Sequence, residues 1–149
     1  MRLNQLFSHW DQVHKDTLAV MDRFSEGDLG FVPVKGGWCV GQIMVHIAEA
    51  EEGWFGTIAQ NNHDSWPKGI NFENYPTKAD IKALLVDTHH RTMKYLETLS
   101  MDDLEVVVSS EWGNFSIRFI IWHVLEHEIH HRGELSLILG ILGRDGLDV

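Results

Sequence analysis

Residues 126–134 read EHEIHHRGE, and this histidine-rich segment is the part of the sequence most able to do chemistry. His127, His130 and His131 fall within it, and His123 lies one helical turn upstream. Residues four apart on a helix lie one above the other, so His123, His127 and His131 form a ladder. Ring nitrogens at this spacing can converge on one metal ion, with Zn–N bonds of about 2.0–2.1 Å. The segment therefore predicts a metal site on a helix.

Helix geometry limits how many of these histidines one ion can use. The eight-residue step from His123 to His131 covers about 12 Å of helix, so these two cannot both bind the same ion. The ion takes either His123 with His127 or His127 with His131, and spacing alone leaves both pairs open. His130 points about 100° away from His131 and is a weaker candidate.

Two imidazoles hold a metal loosely, so a third ligand must come from a facing helix. His46 is the best candidate, because it lies in mid-helix at the edge of an apolar stripe. The set His46, His127 and His131 leaves coordination positions open for water or substrate, as in catalytic sites; structural zinc is usually closed by four protein ligands. In the alternative interpretation, His46 is a core histidine and the pair on the other helix binds no ion.

Four segments with helical periodicity must position these histidines. They cover roughly residues 2–25 and 40–62, a third that begins after a predicted Thr77 cap and ends near Leu99, and a fourth that begins after a predicted Ser116 cap and ends near residue 142. The stretch EVVVSS (105–110) is β-prone and is expected to be extended or to pair briefly, but one short strand does not make a sheet. The pattern predicts an all-α four-helix bundle in a single domain covering residues 1–149.

Composition narrows the function classes. The 149 residues carry 12 Lys and Arg against 22 Asp and Glu, a net charge of −10, which disfavours nucleic acid and anionic membranes as partners. The single cysteine, Cys39, excludes an intrachain disulfide and fits a reducing compartment. The first residues lack a signal-peptide core, and the longest apolar stretch, 135–143, is about half a membrane span. We expect a cytoplasmic protein.

Two stretches resemble the DinB/YfiT-like superfamily of bacterial bundle proteins. GGWCVGQIMVHIAEAEEGW (36–54) is similar to the family's tryptophan, helix start and mid-helix histidine, and WHVLEHEIHHRGELSLILGILG (122–143) is similar to its H-x3-H-R-G signature. The resemblance extends in order and spacing over nearly the whole chain. One departure is Cys39, which stands where the family often has a capping serine or threonine. We expect Cys39 to be a small packed residue.

The resemblance implies an up-down-down-up four-helix bundle with one divalent metal ion held by three histidines. Carried over to this chain, these are His46, His127 and His131. The resemblance therefore favours the pair His127 and His131 over the pair His123 and His127. Neutral imidazoles suit zinc first, with nickel or iron as alternatives. The resemblance also implies a homodimer.

Other polar residues are candidates for supporting the metal site. His14 on the first helix is expected to pack in the core, with a hydrogen bond to a metal-bound water as the alternative. His123 could orient a ligand from outside the coordination sphere, or simply pack beside Trp122. Glu49 could accept a hydrogen bond from a ligating histidine. The remaining acids and histidines of the second and third helices are expected to be solvated: Glu51, Glu52, His89 and His90.

The family resemblance also implies an activity. Similar proteins include enzymes that use low-molecular-weight thiols such as bacillithiol or mycothiol, so the leading hypothesis is a metalloenzyme that activates a thiol for S-transfer to an electrophilic small molecule. One alternative is a metal-dependent hydrolase that uses a metal-bound water. Another is a metal-binding stress-response protein without turnover.

Overall fold

The computed structural model describes residues 1–146, and the chain is mainly helical. Its five α-helices are α1 (Leu3–Leu6), α2 (His9–Asp22), α3 (Val40–Glu51), α4 (Lys78–Thr98) and α5 (Ile117–Ile141). A π-helix, Glu52–Ala59, continues α3, and two 3₁₀ helices cover Glu26–Asp28 and Met101–Glu105. No helix within residues 1–146 is both long and apolar enough to cross a membrane.

The helix starts follow the capping signals in the sequence. The Thr77 hydroxyl accepts a hydrogen bond from the Asp80 amide at 3.1 Å, and the Ser116 hydroxyl accepts the amide of the third residue of α5 at 3.2 Å. Cys39 precedes α3, where its own amide donates to the Gln42 side chain at 2.9 Å. The thiol is buried, so Cys39 is a packed residue as expected, and the glutamine side chain supports the helix start.

The chain is mainly helical as predicted, but the connection before α5 forms a small two-stranded sheet that an all-α chain does not include. Strand β1 (Val107–Ser110) pairs antiparallel with β2 (Gly113–Ser116), with Val107 opposite Ser116. Gly113 has a φ of +130°, a conformation that glycine adopts readily, and it begins the returning strand. The first predicted helix is also interrupted, because α1 and α2 are separated at Phe7 and Ser8.

The second predicted helix, 40–62, changes its geometry half-way. The α-helical pattern ends at Glu51, and the wider π-helix runs from Glu52 to Ala59. Two glycines, Gly53 and Gly56, lie in this segment, and a Cβ at Gly56 would overlap the Glu52 carboxylate. The carboxylate thus occupies space that a side chain at residue 56 would fill. A π-helix rotates the residues that follow it relative to an unbroken α-helix, and such segments are frequent near functional sites.

The core consists of two apolar clusters. One includes Val20, Met44, Leu85 and Leu139, and the other includes Trp10, Phe55, Leu96 and Ile120. Helix α3 packs against α4 and α5, and α2 packs against α5.

Between the two clusters, each long helix contributes one titratable residue whose relative exposure is 5% or less. These are His14 on α2, Glu51 on α3, His89 on α4 and Glu128 on α5, and their relative exposures are only 2–5%. In sequence, each of them lies between members of the two apolar clusters. Glu51 and His89 were expected to be solvated, and that expectation is wrong. Their burial depends on how the helices pack, which periodicity along one helix does not reveal.

Hydrogen bonds connect the four residues, which we call the buried polar layer. The Glu128 carboxylate lies 2.7 Å from the Trp10 indole nitrogen and 3.0 Å from His14 Nδ1. The Glu51 carboxylate lies 3.2 Å from His89 Nδ1. The rings of His14 and His89 stack at 4.2 Å with an angle of 11° between their planes. The layer therefore joins α3 to α4, α4 to α2, and α2 to α5.

His89 is the positive member of this layer. Both of its ring nitrogens face carboxylate oxygens, because Nε2 also lies 3.1 Å from Asp11 on α2. An imidazole donates from both nitrogens only when it is protonated. Burial acts to lower the pKa of His89, but the hydrogen bond and charge of Glu51 prevail and raise it. Burial likewise opposes ionisation of Glu128, yet the hydrogen bond from His14 leaves the pKa of that carboxyl lowered.

We predict that His89→Gln lowers the free energy of unfolding by about 3 kcal/mol near pH 6.5, because it leaves the buried Glu51 carboxylate without its cation. Because the pKa of His89 is raised in the folded state, His89 stabilises the fold fully at pH values below its unfolded-state pKa of about 6.5. This stabilisation is lost as the pH rises through the folded-state pKa. Urea unfolding between pH 6 and 9 measures both effects.

The matched control is His90→Gln, since the neighbouring His90 is exposed on the same helix. It should leave the stability and its pH dependence close to wild type. An unchanged pH profile in His89→Gln would contradict a protonated His89.

Candidate metal centre

Three histidines converge where α3 faces α5. His127 Nε2 lies 3.0 Å from His46 Nε2 and 3.1 Å from His131 Nε2. The three residues form a group whose potential ligand atoms all lie within 4.8 Å of one another. His46 comes from the middle of α3, and the other two come from successive turns of α5. The structure thus brings together the three residues predicted from the sequence, and the two that come from α5 are His127 and His131.

Carboxylates hold the outer nitrogens of two of these rings. His46 Nδ1 lies 2.8 Å from Glu49, and His131 Nδ1 lies 2.7 Å from Glu134. A proton on Nδ1 leaves the lone pair of Nε2 free to bind a metal, and histidine ligands commonly have such a partner. Glu49 was a sequence candidate for this role, whereas Glu134 was missed. The repeated spacing H-x-x-E, at 46–49 and again at 131–134, was the available signal.

His127, the central histidine of the three, differs from the other two because no carboxylate contacts its ring. Burial, followed by the neighbouring imidazoles of His131 and His46, lowers the pKa of His127 to about 3. Burial also lowers the pKa of His131, although Glu134 opposes this. Both rings are therefore neutral near pH 7, which is the form that binds metals. Nδ1 of His127 is buried without a hydrogen-bond partner among residues 1–146.

These residues fit a divalent metal ion. Two nitrogens bound to one zinc ion at tetrahedral angles lie about 3.3 Å apart, close to the observed separations of 3.0 and 3.1 Å. Neutral imidazoles without an ion would direct lone pairs at one another unless a proton lay between them. Within residues 1–146, no fourth His, Cys, Asp or Glu joins this group. The group therefore leaves coordination positions open.

A small cavity adjoins His46. Its volume is about 250 Å³, and its walls include Trp38, Gln42, Lys68 and Phe72. The Trp38 ring meets His46 edge-on at 4.7 Å and is itself about half exposed, at 48%. The His46 side chain is 26% exposed and that of His131 is 11% exposed. Solvent and small molecules can therefore approach this side of the centre.

Two other histidines of α5 lie outside the group of three. The His123 ring packs against Trp54 at 4.6 Å and stacks on Phe119 at 5.4 Å. His130 is exposed. With His131 and Glu134 it forms another group within ligand distance. This group shares His131 with the first, and its Glu134 already accepts a hydrogen bond from His131 Nδ1.

The structure places His14 in the buried polar layer and not beside the three histidines. His14, His89 and Glu128 are close enough to be tested as a second metal site. However, one ion cannot lie in the planes of two rings that stack nearly parallel at 4.2 Å. Both nitrogens of His89 also already face carboxylates. This arrangement is that of a proton network, with Nε2 of His14 left as a buried acceptor without a partner in residues 1–146.

Comparison with known proteins agrees with this fold. Residues 9–135 match the family model of the DinB superfamily. The chain belongs to this superfamily. The uncharacterized protein YjoA of Bacillus subtilis is 22% identical over 147 residues, which are 97% of this chain and 93% of that protein.

Solved structures of DinB-like proteins share the fold. A DinB-like protein from Bacillus cereus has a TM-score of 0.77 at 17% identity, covering 96% of this chain and 94% of its own. YfiT from Bacillus subtilis, described as "a probable metal-dependent hydrolase with an unusual four-helix bundle topology", has a TM-score of 0.62 at 19% identity, covering 89% and 87%.

We predict that His46→Ala, His127→Ala and His131→Ala each abolish most metal retention, because two remaining imidazoles bind far more weakly than three. His123→Ala and His130→Ala are the controls on the same helix and should keep the metal. Elemental analysis of the five purified variants after dialysis measures this. Loss of metal from His123→Ala with retention in His131→Ala would place the ion one helical turn away from this site.

Proposed function

We propose that this DinB-superfamily protein is a metalloenzyme whose three-histidine centre activates a low-molecular-weight thiol for transfer to an electrophilic small molecule. The observation that carries the proposal is the convergence of three Nε2 atoms with no fourth protein ligand from residues 1–146. A centre closed by protein would serve structure, whereas an open centre can accept a reactant. Zinc is the ion we expect, with nickel or iron as alternatives.

Each part of the site has a role in this chemistry. His46, His127 and His131 would hold a divalent ion, which would lower the pKa of a thiol bound there and so supply a thiolate nucleophile. His46 and His131 are oriented by Glu49 and Glu134, so the ligand geometry is set before a reactant arrives. The cavity beside His46 gives a small molecule access. In the transfer, sulfur bonds to the electrophilic carbon, the leaving group takes the electron pair of the broken bond, and the thiol proton passes to solvent.

A second candidate function is metal-dependent hydrolysis. Similarity to YfiT, described as a probable metal-dependent hydrolase, favours it. The same centre would then activate water in place of a thiol. A third candidate is a metal-binding protein without turnover, in which the centre stabilises the α3–α5 contact. Turnover of a thiol or an ester substrate distinguishes the first two candidates from this third one.

We predict that the protein loaded with Co²⁺ develops a thiolate-to-metal absorption band in the near ultraviolet when 2-mercaptoethanol is added. It should then accelerate conjugation of the thiol with 1-chloro-2,4-dinitrobenzene. His127→Ala should show neither effect. Absence of the band together with hydrolysis of 4-nitrophenyl acetate above the His127→Ala background would favour the hydrolase. A band without turnover of either compound would favour the non-catalytic candidate.

We also propose that the four long helices of each chain run in up-down-down-up order and that two chains form a homodimer. We propose no nucleic-acid partner, because the net charge of −10 disfavours one. A groove of about 1030 Å³ between the N-terminal helices and α5 supports self-association. Its apolar walls include Phe7, Trp122 and Ile129, of which Trp122 is 56% exposed and Ile129 is 42% exposed. An apolar face of this kind favours a partner surface.

We predict that Trp122→Glu shifts the protein from dimer to monomer in analytical ultracentrifugation, because it places a charge in the apolar groove. Val86→Glu is the control, since Val86 is exposed on α4. A monomeric wild type at micromolar concentration would contradict the dimer.

A further inference from the structure

The connection between the π-helix and α4 lies across α3 and the start of the π-helix, on both sides of His46. Phe72 covers Gly41, which precedes His46, and Trp66 covers Gly53, which follows it. A Cβ at either glycine would overlap the aromatic ring above it. The close approach of this connection to α3 thus depends on two positions without side chains.

Trp66 reaches the metal centre through a hydrogen-bonded chain. Its indole Nε1 donates to Glu49 Oε1 at 2.9 Å, and the other oxygen of Glu49 lies 2.8 Å from His46 Nδ1. An indole can only donate, so Glu49 must be the acceptor here. The two oxygens of one carboxylate are therefore divided between the connection and the candidate metal ligand.

We propose that Trp66 is a positioning residue for the metal centre: its indole N–H holds the Glu49 carboxylate that orients His46, and Gly53 makes room for its ring. This inference rests on the proposed metal-binding function and adds the segment 62–72 to the machinery of the site. Trp66 does not touch the ion; it acts only through Glu49.

Glu49 needs the hydrogen bond from Trp66 because its side chain is partly exposed to solvent. Its side chain is 25% exposed, so without a second partner the carboxylate can rotate and exchange His46 for water. A donor on Oε1 fixes the orientation in which Oε2 faces His46 Nδ1. Hydrogen bonds to an ionised group are stronger than those between neutral groups, so this contact can hold the carboxylate in place.

Thermodynamic linkage couples metal binding at His46 to the ordering of Trp66 in both directions. If an ordered Trp66 strengthens metal binding at His46, then metal binding must order the segment that carries Trp66 by the same free energy. Backbone amides of Lys68 and Ile70 are hydrogen-bonded within this segment. Their hydrogen exchange therefore reports whether the segment responds to the ion.

The experiment compares Trp66→Phe and Gly53→Ala with wild type. Trp66→Phe removes the N–H and keeps an aromatic ring, whereas Gly53→Ala keeps the indole and displaces it. Zinc affinity is measured by competition with a chromophoric chelator, and amide exchange of residues 62–72 is measured with and without zinc. We expect both variants to lose about tenfold in zinc affinity, the lower end of the range for residues that support ligands. Zinc should slow exchange in wild type and have little effect in either variant.

Matched controls separate this role from general packing. Trp112→Phe alters a ring that packs against Trp66 at 6.0 Å and should retain wild-type affinity. Gly140→Ala, at a helical glycine with open space around it, should do the same. In a Glu49→Ala background, Trp66→Phe should cause no further loss, because the residue through which it acts is absent.

The outcomes are distinguishable. Wild-type affinity in both Trp66→Phe and Gly53→Ala would overturn the positioning role and leave the metal centre intact. An equal tenfold loss for Trp66→Phe with and without Glu49 would also overturn it, since the effect would then not pass through the carboxylate. A wild-type protein that binds none of zinc, nickel and ferrous iron would overturn the proposed function and this inference together.

Discussion

The arrangement of the four long helices depends on the buried polar layer, in which Glu51, His89, His14 and Glu128 are in contact one after the other. The two carboxylates at its ends belong to the helices that carry the candidate ligands. Glu51 follows His46 by five residues on α3, and Glu128 is the residue after His127 on α5. Fixing the rotation of these helices at the layer also fixes the direction in which their histidines point.

Burial makes this constraint strict. Removing charged groups from water is costly, and a buried ion pair often contributes little net stability compared with apolar residues of the same shape. The cost of separating the pair is much larger, because each partner would be left buried and uncompensated. A shift of α4 that separated His89 from Glu51 would incur this cost, whereas two apolar clusters alone would tolerate small shifts. We infer that the layer contributes more to alignment than to total stability.

The sequence predicted the parts of this structure that depend on local pattern. The apolar stripes located the four long helices, Thr77 and Ser116 marked two helix starts, and family resemblance selected His127 with His131 where spacing left two pairs open. Local pattern failed where the outcome depends on neighbouring elements. The burial of His89 is decided by three other helices. The hairpin needed a partner strand, which EVVVSS alone did not reveal.

The charges around the three histidines are matched to a divalent ion. Neutral imidazoles contribute no charge, and Glu49 and Glu134 contribute two negative charges through His46 and His131. Together with a divalent ion, the centre is then close to neutral. His127 has no such carboxylate, since its Nδ1 is buried without a partner in the described part of the chain. A third carboxylate would make the loaded centre negative and would weaken the attraction of the ion for an anionic ligand. A thiol bound to such an ion would lose its proton more readily in the less negative site, so the absence of a carboxylate at His127 Nδ1 would favour the thiolate of the proposed reaction.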